Sequence, residues 1–288
     1  MKQDAFSRCH PAVNFLYFVG AIGFGVVIQH PAYMLAAVVG AALYFLLLKG
    51  RKGVKTMLFL LPVFLVIALV NPLFNTLGET ELFLLFGRPY TLEALYYGAV
   101  VGGMFVVMML WFGCYSEVLT SDKFTSLFGN LIPALSLLLV MVLRMIPNLM
   151  RKAAQINGVR KSIGKTVENG ATKEKIKSGM TVLSALTDWA LEGSVITADS
   201  MRSRGYGVTK RSNFQIYRMH SRDWLLLGIT LLLGLLTLLS GGKTAEFIPA
   251  LQIAPLNWGF AAYCLYLLTP TALHLKEAIT WHILRSRI

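Results

Sequence analysis

Six long apolar runs, interrupted by a single extended basic and hydrophilic stretch at residues 144–223, limit what this chain can become. The runs at 13–29, 32–48, 57–74, 94–115, 224–240 and 257–273 read as membrane spans. A helix needs about 20 apolar residues to cross hydrocarbon, so the first two lie near the lower limit. The 288 residues are 56% apolar with a mean hydropathy of +0.61, whereas soluble domains hold about 45–50%. Unpaired backbone groups are costly in lipid, which leaves the helix as the spanning element for runs of this length. The expected fold is an all-α integral membrane protein with about six transmembrane helices, plus further helices in the hydrophilic stretch.

Charge sets the expected topology. The net charge is +13, and its cations fall mostly in a few hydrophilic stretches, as the positive-inside rule and an anionic lipid surface require. Lys49, Arg51, Lys52 and Lys55 mark one cytoplasmic turn. Residues 75–93 hold Glu79, Glu81 and Glu93 against Arg88, as an outer loop would. The tail, with His282, Arg285 and Arg287, is again basic. Six spans then place both termini in the cytoplasm of a multi-pass protein of the cell (inner or plasma) membrane. Trp224 and Trp258 sit at span edges, where aromatic belts lie. No aromatic-basic interleaving accompanies the cations, which argues against nucleic acid as a partner. The first run is followed by Gln29-His30-Pro31 and at once by another run, the pattern of a helical hairpin and not of a cleaved signal peptide. Cys9, Cys114 and Cys264 form no CxxC pair and read as reduced packing residues.

Three blocks follow: 1–117 with four spans, 118–223, and 224–288 with two spans. Within the middle block, residues 131–143 are apolar but reach only about 20 Å as a helix, too short for a bilayer of about 30 Å. Arg144 ends them, so 118–143 is expected to lie in, or re-enter, the inner leaflet as an apolar surface open to partners. Two cytoplasmic helices are expected beyond it, at 145–163 and 175–203. The second carries Met180, Leu183, Leu186, Ala190 and Leu191 at amphipathic spacing. Gly158, Gly164 and Gly170 loosen the link between them. Arg202-Ser203-Arg204-Gly205-Tyr206-Gly207 closes the second helix and displays an arginine beside a helix-stopping glycine.

Chemistry is sparse. Gly164-Lys165-Thr166 and Gly242-Lys243-Thr244 lack the earlier glycine of a phosphate loop, since Val159 and Thr237 stand there. His274 and Glu277 are spaced to share a metal, but a third ligand is not apparent nearby, and interfacial polarity is the better reading. Asp188, Glu192 and Asp199 are expected to salt-bridge within a helix hairpin, with Arg144, Arg151 and Arg160 as partners, and not to act as catalytic acids. The spans hold almost no ionisable residues, which argues against a self-contained proton-coupled transporter. Gly98 and Gly102 permit close helix contact, either within the chain or with a partner. No catalytic residue, cofactor or metal is assigned. An autonomous secondary transporter or channel and a membrane-bound enzyme are the rival readings.

These residues together bear a family likeness. His10-Pro11, four spans, Thr120-Ser121-Asp122, Arg144-Met145-Ile146-Pro147, a basic helix, Ser203-Arg204-Gly205-Tyr206-Gly207 and a last membrane block follow one another. The chain resembles, over nearly its whole length, the transmembrane T component of energy-coupling factor (ECF) transporters, the group that includes CbiQ-like proteins of cobalt transport. The resemblance implies a non-catalytic coupling subunit. Its partners would be two cytoplasmic ABC ATPases, an S component that binds a vitamin or metal ion, and membrane lipid. It also implies two Ala-Arg-Gly-like motifs at the tips of the cytoplasmic coupling helices, each docking into one ATPase. The second corresponds to Ser203, Arg204 and Gly205. The first falls at Ser162-Ile163-Gly164, where Ile163 replaces the arginine and Arg160, about one helical turn earlier, is the candidate substitute. That departure leaves equal use of the two docking sites open.

Overall fold

A computed structural model describes residues 5–75, 80–85, 88–128, 133–164, 172–208, 217–240, 245–246 and 252–285. The chain divides into two compact units, Met1–Phe124 with Tyr217–Ile288, and Thr125–Ile216.

The first unit opens with a 3-10 turn, Phe6–Arg8, followed by α1 (Pro11–Val27), α2 (Pro31–Lys49) and α3 (Arg51–Phe74). A short antiparallel hairpin, β1 (Glu81–Leu85) and β2 (Arg88–Thr91), leads into α4 (Leu92–Val118). The chain leaves this unit along α5 (Ser121–Phe128). The expected outer loop at 75–93 thus carries strands, and sequence reading missed them because acidic composition masked a β-rich run (Glu81–Leu85).

Both His-Pro pairs are helix starts. The Nδ1 atoms of His10 and His30 accept hydrogen bonds from the N–H groups of Ala12 and Ala32, each at 3.2 Å. The prolines occupy the first helical positions, where no N–H is needed. His30 is buried, and with Nδ1 accepting from Ala32 its Nε2 is the donor toward the Ala254 carbonyl at 3.0 Å.

An aromatic cluster forms the centre of the unit. Tyr17 stacks on Tyr266 at 5.0 Å, and Phe6, Phe18 and Trp111 meet Tyr17 edge to face. Such pairs add about 0.5–1.5 kcal/mol each beyond burial. The Tyr17 hydroxyl donates to the Leu267 carbonyl (3.3 Å), and that of Tyr266 to the Tyr17 carbonyl (2.8 Å). α1 and α9 (Trp258–Arg285) are joined in this way, so the two ends of the chain share one core. A Cβ at Gly98 would lie 2.6 Å from the Ala68 carbonyl, and one at Gly102 would lie 3.0 Å from the Phe64 ring. The small-residue pair therefore serves contact between α4 and α3 of this chain.

α8 (Ser221–Leu239) and a second short hairpin, β3 (Ala245–Glu246) with β4 (Gln252–Ile253), precede α9. α2, α3, α4 and α8 are long and apolar enough to cross a membrane. α1 is apolar but has 17 residues. α9 has 28, with Thr269, Pro270, Thr271 and His274 interrupting its apolar run. On α3 an outer face of Leu58, Phe59, Leu61, Leu65, Val66 and Leu69 is exposed. That much contiguous apolar surface suits lipid and not water.

The second unit contains two long helices, α6 (Pro133–Ser162) and α7 (Thr172–Ser203). α6 corrects the expected break at residue 143. The apolar run at 131–143 and the basic helix expected at 145–163 belong largely to one 30-residue helix. Arg144 is an exposed residue within it, and Pro147 is accommodated inside it. α7 matches the expected second helix closely. Its half-buried side is Ser178, Val182, Leu186, Trp189, Ala190 and Gly193, while Met180, Leu183 and Leu191 are exposed. Of the expected apolar stripe, only Leu186 and Ala190 lie on the half-buried side.

Candidate functional site: two glycine-capped helix ends

α7 stops in a Schellman motif. Gly205 takes φ +78°, its N–H donates to the Arg202 carbonyl (3.0 Å), and the Tyr206 N–H reaches back to the Met201 carbonyl (3.0 Å). These are the two bonds that close a helix on a left-handed residue and satisfy its last carbonyls. An L side chain in that conformation costs about 1–2 kcal/mol, which accounts for glycine there. Gly207 follows at φ +91°. Arg204 is left at the helix cap with its side chain exposed, and Tyr206 and Val208 are exposed beside it. The Ser203 hydroxyl turns inward and donates to the Ser200 carbonyl at 3.0 Å. Arg204 makes no ion pair among the described residues. Its charge, like that of Arg202, complements the negative end of the helix dipole.

α6 also ends on a left-handed glycine. Gly164 takes φ +67° and donates to the Lys161 carbonyl (3.1 Å), and the Ser162 hydroxyl donates to the Gly158 carbonyl (3.2 Å). Ser162 thus matches Ser203, Gly164 matches Gly205, and Ile163 stands where Arg204 stands. Ile163 is 59% exposed and Val159, one turn earlier, is 65% exposed, so this end shows an apolar pair.

Arg160, one turn before that tip, is turned toward α7. Its Nη2 donates to the Ser178 hydroxyl on α7 at 2.9 Å, and the residue is half-buried between the helices. Farther along, the Lys152 ammonium lies 5.6 Å from the centre of the Trp189 ring. The contacts 160–178 and 152–189 run in opposite directions, so α6 and α7 are antiparallel. The two glycine caps consequently stand at opposite ends of the hairpin, separated by about 39 Å along α7 at about 1.5 Å per residue.

The expected acid pairing is not formed. Arg151 donates to Asn148 Oδ1 (3.0 Å), Arg160 is held by Ser178, and no ion pair joins Asp188, Glu192 or Asp199 to Arg144, Arg151 or Arg160 among the described residues. Glu277 pairs with Arg8 at 2.8 Å. No group of three or more His, Cys, Asp or Glu residues is gathered for a metal among the described residues. The apolar surface expected within 118–143 falls on α6, where Leu138, Val140, Val142 and Leu143 are exposed. Gly170, Lys165, Thr166 and the whole Gly242-Lys243-Thr244 triplet lie outside the described residues. Val208, exposed beside Arg204, is the residue at this tip that the sequence pattern did not single out.

Long apolar helices with lipid-compatible faces define the class as a helical, membrane-embedded protein carrying a helical hairpin module. No protein-family model and no curated protein matches the chain.

Proposed function

We propose that this chain is the energy-coupling transmembrane subunit of an ECF-type ABC importer, in the manner of a T component. It crosses the cell membrane about six times with both termini in the cytoplasm, and it catalyses no reaction. Two ABC ATPases hydrolyse ATP, and an S component binds the vitamin or transition-metal cargo. The observation that carries the reading is the pair of matching glycine caps at the far ends of one antiparallel helical hairpin. Two tips about 39 Å apart along a stiff helix suit two motor subunits that move relative to one another. Arg204 supplies a permanently charged planar fork for carboxylates or backbone carbonyls in an ATPase groove. Ser203 and Gly205 fix its display. At the other tip Ser162 and Gly164 keep the backbone form, Ile163 replaces the fork with an apolar contact, and Arg160 stiffens the hairpin.

Truncating one partner of a buried charged contact costs about 2–5 kcal/mol, or roughly thirtyfold or more in affinity. Arg204→Glu is expected to leave the protein inserted in the membrane while ATPase co-purification and transport fall by at least that factor. Undiminished ATPase recovery and uptake in this variant would reject the docking role. Uptake by the purified chain alone in liposomes would favour a self-contained transporter.

A further inference from the structure

Six consecutive residues near the N-terminus touch every element at which the second unit's chain departs and returns. The chain leaves the first unit after Phe124 and comes back at Tyr217. On the departing side, the Lys123 ammonium donates to the Ser7 carbonyl, to the Ser7 hydroxyl (3.1 Å) and to the Val118 carbonyl (3.0 Å). On the returning side, the Asp223 carboxylate accepts from the His10 N–H (3.1 Å) through one oxygen and from the His220 N–H (3.0 Å) through the other. The His10 and Tyr217 rings meet edge to face at 6.5 Å. Arg8 reaches Glu277 on α9. Phe6 is driven into the aromatic centre, where it meets Tyr17, Phe18 and Tyr44.

We propose that residues 5–10 are a clasp that fixes both attachment points of the second unit to the core of the first. Phe6 is its root, Ser7 and Lys123 hold the departing strand, and His10 and Asp223 hold the returning strand. The chemistry is directional. Both oxygens of one buried carboxylate are used by backbone N–H groups far apart in sequence, an arrangement that fixes position and not only charge. Lys123 is half-buried, and burial pulls its pKa below the usual lysine value. The two attachment points are therefore coupled through a segment that belongs to neither. The inference rests on the geometry of the first unit and stands independently of the ATPase reading.

Hydrogen exchange on the full-length protein in lipid nanodiscs tests it. Phe6→Ala is expected to speed amide exchange about tenfold at both 119–124 and 217–224, with the middles of α2 and α4 unchanged. Faster exchange at only one attachment point, at neither, or throughout α2 and α4 would overturn the clasp. Lys123→Met removes no core atom and gives a second test. It is expected to speed exchange at residues 5–10 and, through them, at 217–224, and Lys123→Arg is expected to restore the original rates. A Lys123→Met effect confined to residues 118–124 would overturn the proposal.

Discussion

The two helix tips of the hairpin module use one backbone solution and present two different surfaces. Gly164 and Gly205 both sit in the left-handed region, and Ser162 and Ser203 both return a hydroxyl to their own helix. The residue between them is apolar at one tip and cationic at the other. Backbone geometry at a helix end and the identity of the displayed side chain are thus separable. The first answers to the cost of stopping a helix, the second to whatever meets the tip. Under the proposed function, the Arg204 tip would meet a groove offering carboxylates or carbonyls. The Ile163 tip would meet a groove able to bury Val159 and Ile163. Two non-equivalent grooves follow from that difference.

Charge reversal at one tip only should separate the two most. Arg204→Glu is expected to lower ATPase recovery roughly thirtyfold or more. Ile163→Ala, which removes three carbons, is expected to cost up to about 2.4 kcal/mol if all are buried in the complex, below the roughly 5 kcal/mol that a desolvated charge contact can reach. Quantitative pull-down of each variant reads both, and equal losses would make the tips equivalent. Next in size is the shared backbone device. Gly205→Val and Gly164→Val are each expected to destabilise their own helix end by about 1–2 kcal/mol. Hydrogen exchange over 201–206 and over 160–164 should register similar changes, and a change at one tip alone would break the structural match. The smallest effect concerns Arg160. Its bond to Ser178 is expected to contribute about 0.5–1.5 kcal/mol to the hairpin. Arg160→Ala should therefore loosen exchange in α6 and α7 modestly while leaving ATPase recovery within about twofold; a loss as large as that of Arg204→Glu would return Arg160 to the docking surface.

Much of this was legible in the sequence wherever one physical signal dominated. Runs of apolar residues located the long helices, and Gly205 located the end of α7. Residues failed as signals where two readings shared one pattern. Arg144 and Pro147 looked like a helix boundary, yet a 30-residue helix passes through both: an exposed arginine costs a helix nothing, and the exposed proline forgoes one backbone hydrogen bond without ending it. Gly98 and Gly102 could face a partner or a neighbour, and only the position of Ala68 decided between them. Arg160 was spaced to replace a missing arginine, but spacing could not reveal that Ser178 lies within its reach. The hairpin at 81–91 was hidden beneath an acidic composition. The clasp was beyond sequence reading altogether, since its partners are separated by more than a hundred residues and include backbone atoms.

Under the proposed function, Arg204 grips a nucleotide-hydrolysing partner. A photo-reactive amino acid placed at position 206, beside the exposed arginine, tests it most directly in membranes from cells that make the protein at native levels. The expected result is a crosslink to an ABC ATPase that disappears when Arg204→Glu is added. A crosslink to lipid alone, or to a protein without a nucleotide site, would contradict the account.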